Sequence, residues 1–213
     1  MRKLHSLLVV LSALFAAAIA PAQDAPRVNK TQEAAATQGL AILRSLTSEK
    51  SRDLGFTSDA EAARATLGSP LSVYNVELAA LKDFRAGGDA SALLKPSPAA
   101  FYPVMLEGTV RSGVRVENTG AGWEPARVGN SGLATAVDRA RRALPSPDDA
   151  ATALVQVLAL NLVFVGQKTA TGWQLAPVID DASVDLKVGT AESASSVFVR
   201  LAPLAARHNG EPT

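Results

Sequence analysis

Apolar residues recur along this chain in two periods, and each change of period marks an element. From about Thr31 to Arg52, Leu40, Ile42, Leu43 and Leu46 supply a broad apolar side, which predicts a helix. Ser58-Asp59-Ala60-Glu61 then fits a capping box, with Ser58 serving the backbone amide near Glu61 and Glu61 reaching back. Gly68 suits the left-handed residue past that helix, and Pro70 prevents its continuation. The spacing between these signals predicts a helix of about two to three turns.

Strand character begins at Leu71, with Val73, Tyr74, Val76 and Leu78 in an extended run; Leu81 and Phe84 pack a short helical turn after it. Gly87-Gly88-Asp89 and Lys95-Pro96-Ser97-Pro98 read as breaks. From Phe101 the period is two: Val110, Ser112, Val114 and Val116 fall on one side, Arg111, Arg115 and Glu117 on the other. That alternation predicts a sheet with one covered face and one wet face. Asn130-Ser131 caps a helix whose stripe is Leu133, Val137, Ala140 and Leu144, stopped by Pro145 and Pro147. Ala153 to Val165 is the most apolar stretch after the leader. Interrupted only by Gln156 and Asn161, it reads as a central strand buried on both faces. A last helix runs from about Ala191, capped by Thr190, with Val197, Phe198, Leu201, Leu204, Ala205 and His208 on its stripe. Pro203 is expected to bend or restart it.

Thr119-Gly120-Ala121-Gly122-Trp123 is echoed by Thr169-Ala170-Thr171-Gly172-Trp173, each between two strand-like runs. Both read as hairpins, with glycine making the turn and tryptophan covering the sheet. The pattern of strand, turn, Gly-Trp and strand is similar to hairpins of small exported α+β domains, including cystatin-like and nuclear-transport-factor-like ones. It covers about 30 residues at each occurrence and implies no activity.

The N-terminus adds an address. Arg2 and Lys3 precede an apolar run from Leu7 to Ile19, and Ala20-Pro21-Ala22 closes it, the order of a secretory signal peptide cut after Ala22. The run of about 13 residues falls short of the roughly 20 that a bilayer crossing needs, so stable membrane insertion after cleavage is not expected. The protein is therefore expected in the periplasm or outside the cell. Residues 1–22 are expected to form the leader, 23–30 a mobile start, 31–209 a single domain and 210–213 a mobile end. Losing Arg2 and Lys3 lowers the basic count from 21 to 19 against 20 acidic residues, a net charge of −1. Nucleic-acid binders need a basic footprint, so no nucleic-acid partner is expected. The chain has no cysteine, which removes disulfides, thiol catalysis and cysteine-ligated zinc. Heavy use of alanine and arginine suggests a bacterial source.

Candidate chemistry is sparse. His5 leaves with the leader, so histidine-dependent triads would have to recruit His208, which the helical stripe assigns to packing. Thr47 to Lys50 offers a hydroxyl-x-x-lysine spacing, and Gly129-Asn130-Ser131-Gly132 lacks one residue of a nucleophile elbow. Asp180, Asp181 and Asp185 cluster after a strand, where an ion could find oxygen ligands. They lack the spacing of a calcium loop and better suit a solvated turn, with Asp capping local backbone amides. Arg111 and Arg115 on the wet face, and Asn161 in the apolar run, are the candidate ligand-binding residues; no catalytic residue and no cofactor is assigned.

The sequence thus predicts an α+β fold, a mainly antiparallel sheet with helices packed on one face, in the general style of cystatin-like or nuclear-transport-factor-like domains. It predicts an exported, non-enzymatic binding or interaction protein whose partner is an envelope protein or a small ligand. The alternatives are a carboxylate-dependent hydrolase, metal-assisted near Asp180, and an envelope assembly factor.

Overall fold

In a computed structural model of the protein, residues 31–46, 53–146 and 152–208 are described. The leader, the segment 23–30, Thr47 to Arg52, Asp148-Asp149 and the segment 210–213 lie outside the described residues.

Helix α1 (Gln32–Ser45) starts where Thr31 accepts a hydrogen bond from the Ala34 amide. Helix α2 (Asp59–Arg64) starts at Ser58, whose hydroxyl accepts from the Glu61 amide at 3.3 Å. The return half of the capping box is displaced by one residue: the Glu61 carboxylate accepts from the Thr57 amide at 2.8 Å, and that bond holds its pKa below the ordinary value. The helix is also shorter than expected. It ends at Arg64 because Thr66–Leu67 is drawn into a strand, β1, and Gly68 donates its amide to the Pro103 carbonyl instead of capping the helix.

The remaining strands are β2 (Leu71–Val76), β3 (Leu94–Leu106), β4 (Thr109–Asn118), β5 (Trp123–Gly129), β6 (Thr152–Val157), β7 (Leu162–Thr169), β8 (Gly172–Pro177) and β9 (Glu192–Ser193). Helices α3 (Leu78–Lys82), α4 (Ser131–Arg142) and α5 (Ala194–Arg207) complete the described elements, with short 3-10 turns between some of them. The strands form one sheet in the order β5-β4-β3-β2-β6-β7-β8-β9, with β1 beside β3. Pairing is antiparallel throughout except between β2 and β6. The fold is α+β with a mostly antiparallel open sheet. No helix among the described residues is long and apolar enough to cross a membrane.

Three expectations are corrected by this register. First, the helices occupy both faces. Leu154 and Val155 are neighbours on β6 and so point to opposite sides. Leu154 joins Leu71, Val73 and Phe101 against Ala134, Val137 and Ala140 of α4. Val155 joins Phe164 and Leu175 against Val197, Phe198 and Leu201 of α5, while α1 covers Tyr102, Val104, Val114 and Val116 on that same second face. Second, β4 does not keep one alternation. Its register against β3 shifts between Val104 and Met105, so Arg111 is an inserted residue and Val110 turns to the α4 face, away from Ser112, Val114 and Val116. Third, Ala153 to Val165 is a hairpin rather than one strand. β6 ends at Val157, a 3-10 turn spans Leu158–Leu160, and β7 begins at Leu162.

Lys95-Pro96-Ser97-Pro98 is likewise part of β3 rather than a break. Here β3 pairs only with β2, because β4 joins it from Ala99 onward, so a proline nitrogen without a proton is tolerated on the unpaired side. The cap of α5 is Ser193 rather than Thr190, since Glu192–Ser193 first pairs with β8 as strand β9. Helix α5 continues through Pro203 to Arg207.

The two Gly-Trp turns share their local chemistry. Thr119 donates its hydroxyl to the Gly122 carbonyl at 3.4 Å, and Thr169 donates to the Gly172 carbonyl at 2.7 Å. Trp123 covers the α1 cluster, and Trp173 meets Tyr74 edge-on at 5.3 Å beside the α5 cluster.

Candidate functional site

Helix α4 roofs only one end of its sheet face. At that end, the start of β2 and β6 contributes Leu71, Val73 and Leu154, all buried. One step further along the same face the residues turn polar: Asn75 on β2, Lys95 on β3, Arg115 and Glu117 on β4, Arg127 on β5 and Gln156 on β6. Pairing fixes them to one side, since Arg115 registers with both Phe101 and Arg127, and Asn75 with both Lys95 and Gln156.

Arg115 donates from Nε to Glu117 Oε1 at 2.7 Å and from Nη1 to Gln156 Oε1 at 3.2 Å. β3 and β2 lie between these two strands. A flat sheet would hold the backbones of β4 and β6 about 14 Å apart, three strand spacings of roughly 4.8 Å, beyond comfortable reach of the two side chains. They meet because this face is concave. Register shifts between Ser72 and Tyr74, Val104 and Met105, and Arg115 and Val116 supply the bending.

The result is a cleft of about 340 Å³ lined by Arg115, Glu117, Ala126, Arg127, Gln156 and Leu158. Gln156 is a buried side chain, 8% exposed, whereas Leu158 on the β6–β7 turn is 65% exposed at the rim. Arginine has no acceptor, so Gln156 must present Oε1 to Arg115, which turns its NH2 donor away. That NH2 group and the Arg127 guanidinium have no hydrogen-bond or ion-pair partner among the described residues. Two arginines directly opposite on neighbouring strands repel one another, and Glu117 offsets only one of them. On the other side of Leu158 lies a second cleft of about 450 Å³, lined by Asn75, Leu78, Lys95, Pro96, Pro98 and Ala159 among others. The Asn75 Oδ1 atom is buried there without a hydrogen-bond partner.

Of the sequence-derived candidates, Arg115 stands at the centre of this site and the others do not. Arg111 sits in the β4 insertion, its backbone carbonyl against Gly55 and its charge acting on Glu61. Asn161 is exposed and closes the β6–β7 turn in the left-handed conformation, φ 52°, so it is not part of a buried strand as the apolar run predicts. The three aspartates serve their own loop: Asp181 accepts from the Ser183 amide and hydroxyl, Asp180 from the Val188 amide, and Asp185 pairs with Lys187 at 3.4 Å. No group of three or more His, Cys, Asp or Glu side chains able to hold a metal is present among the described residues. Ser131 donates to the Asp53 carbonyl at the start of α4, and Asn130 is the cap, accepting from the Leu133 amide.

Gln156, Arg127 and Leu158 were missed as site residues. The signal for Gln156 was present as a polar interruption of an apolar run; the convergence of β4, β5 and β6 was not, because it depends on curvature. Comparison with protein families, curated proteins and solved structures gives no match, so the site is read from its own geometry.

Proposed function

We propose that this is an exported, non-enzymatic binding protein that holds a small ligand on the uncovered end of its concave sheet face. The carrying observation is the donor-lined cleft: Arg115, Arg127 and Gln156 converge there, and the Arg127 guanidinium and the Gln156 NH2 group have no protein partner among the described residues. Binding sites favour such concavities with a few converging polar groups. Among the described residues a single carboxylate, Glu117, lines the cleft and is engaged by Arg115, which favours binding over acid–base hydrolysis by a facing pair. Export rests on the leader pattern of residues 1–22. An architecture in the general style of cystatin-like or nuclear-transport-factor-like domains is supported by the curled antiparallel sheet with α4 seated in its concavity; helices α1 and α5 on the opposite face depart from it.

Two measurements test this reading. Expression of the full chain in a bacterium, followed by fractionation and mass determination, should place a species beginning at Gln23 outside the cytoplasm. A panel of neutral, cationic and anionic small molecules, followed by amide and side-chain NMR, should include members that shift Arg115, Arg127, Gln156 and Leu158 together. A panel in which no compound of any charge class moves these residues sinks the binding reading.

A further inference from the structure

We infer that the ligand is a small carboxylate with an apolar tail, its head held by Arg115, Arg127 and Gln156 and its tail laid over Leu158. This deepens the reading above and rests on it. The head chemistry follows from the donor inventory. Both unpartnered groups of the first cleft, the Arg127 guanidinium and the Gln156 NH2, only donate, and Arg115 adds further donors. A site made of donors fits an acceptor. Charge then separates carboxylate from phosphate: two arginines against Glu117 leave the lining one positive charge in excess, which a monoanion neutralises and a dianion overshoots. Arg115 already receives a carboxylate, that of Glu117 at 2.7 Å, so the cleft displays the interaction it offers a ligand.

The tail follows from Leu158. A leucine 65% exposed on a turn loses apolar contact with solvent only when something covers it. It lines both clefts, so a chain leaving the Arg115 end crosses it into the second cleft, where Leu78, Pro96, Pro98 and Ala159 supply apolar wall. Glu117 becomes a resident competitor for Arg115: it keeps the guanidinium oriented while the site is empty and is displaced in part when the ligand carboxylate arrives.

The test uses the purified protein with hexanoate, propanoate, hexylamine, hexan-1-ol and inorganic phosphate as probes, read by NMR titration of the Arg115 and Arg127 Nε–H, the Gln156 side-chain amide and the Leu158 methyls. Hexanoate should shift all four and bind at least tenfold more tightly than propanoate, with hexylamine giving no shift. Arg127→Gln, an exposed position, should weaken hexanoate about tenfold. Leu158→Ser should weaken hexanoate but leave propanoate unchanged, and Glu117→Gln should tighten both several-fold. The inference is overturned if hexylamine or hexan-1-ol binds as tightly as hexanoate, if phosphate binds more tightly than hexanoate, or if hexanoate leaves these groups unmoved. Shifts caused by hexan-1-ol or by other neutral panel members would then keep the binding site and remove only its carboxylate preference; silence from the whole panel removes both.

Discussion

The two ends of the concave sheet face are built from the same strands yet carry opposite chemistry. Under α4, Leu71, Val73, Phe101 and Leu154 are buried together. Beyond the helix, Asn75, Arg115 and Gln156 occupy the next positions of that same face on β2, β4 and β6. The strand period assigns both sets to one side, but it does not say which of them will be roofed. The helix contacts β4, β7 and β8 and so lies across the strands, and at about 10–12 Å wide it covers only part of their length, leaving one end open. The roofed end carries the buried apolar packing of this face, and the open end, with its polar side chains, is where substitutions should cost least.

The largest effect should come from the roofed end. Phe101→Ala removes a ring packed over Gly113, whose Cβ, if it had one, would lie 2.5 Å from the ring, and should cost about 3–5 kcal/mol in urea denaturation. A loss below about 1 kcal/mol would show that this end tolerates holes and that the contrast is misplaced.

The attachment of the roof comes next. Asn130 caps α4 from a left-handed backbone position, φ 63°, accepting from the Leu133 amide at 3.0 Å. Asn130→Ala should lose about 1 kcal/mol, with the left-handed backbone adding to the loss. Hydrogen exchange in α4 should accelerate more than in α1; equal acceleration in both helices would mean that the cap does not act locally.

At the open end, Arg115→Gln should change stability by less than about 1 kcal/mol, since the pair with Glu117 is partly solvated, while abolishing carboxylate binding. A collapse of the fold in this variant would move Arg115 from the site to the core.

The smallest effect lies on the opposite face. Glu192 accepts two hydrogen bonds from Arg200, each 2.7 Å, tying β9 to α5, and these bonds hold its pKa below the ordinary 4.5. A lowered folded-state pKa means that the contribution is complete above about pH 4.5 and fades as the pH falls through the lowered value. Glu192→Gln should therefore flatten the acid limb of the stability profile, by under about 1 kcal/mol for this partly exposed pair, and leave binding unaltered.

Much of the architecture was legible along the chain because local rules govern it. The Asn130 cap, the Val137–Ala140–Leu144 stripe and the two Gly-Trp hairpins form where turn and capping chemistry place them. What escaped involved tertiary competition. Thr66–Leu67 left its helix for β3, and the apolar run broke at Leu158 because two paired strands satisfy backbone groups better than one strand overrunning its neighbour. The Arg111 insertion reversed Val110 without any mark in the alternation, since a bulge is defined by the partner strand. Of the residues lining the cleft, only Arg115 was named in advance, because strand alternation marks it as a wet-face arginine, while its contact with Gln156 crosses two strands and has no local signature.

The amino-acid order by itself determined the caps and turns that start most helices and hairpins, the near-neutral charge and the poverty of reactive groups, all of them properties of neighbours along the chain. Tertiary structure alone decided which faces the helices cover and that β4, β5 and β6 close around one cleft. The reason is that curvature accumulates from several bulges at once, and the distance between Arg115 and Gln156 is a property of the whole curled sheet.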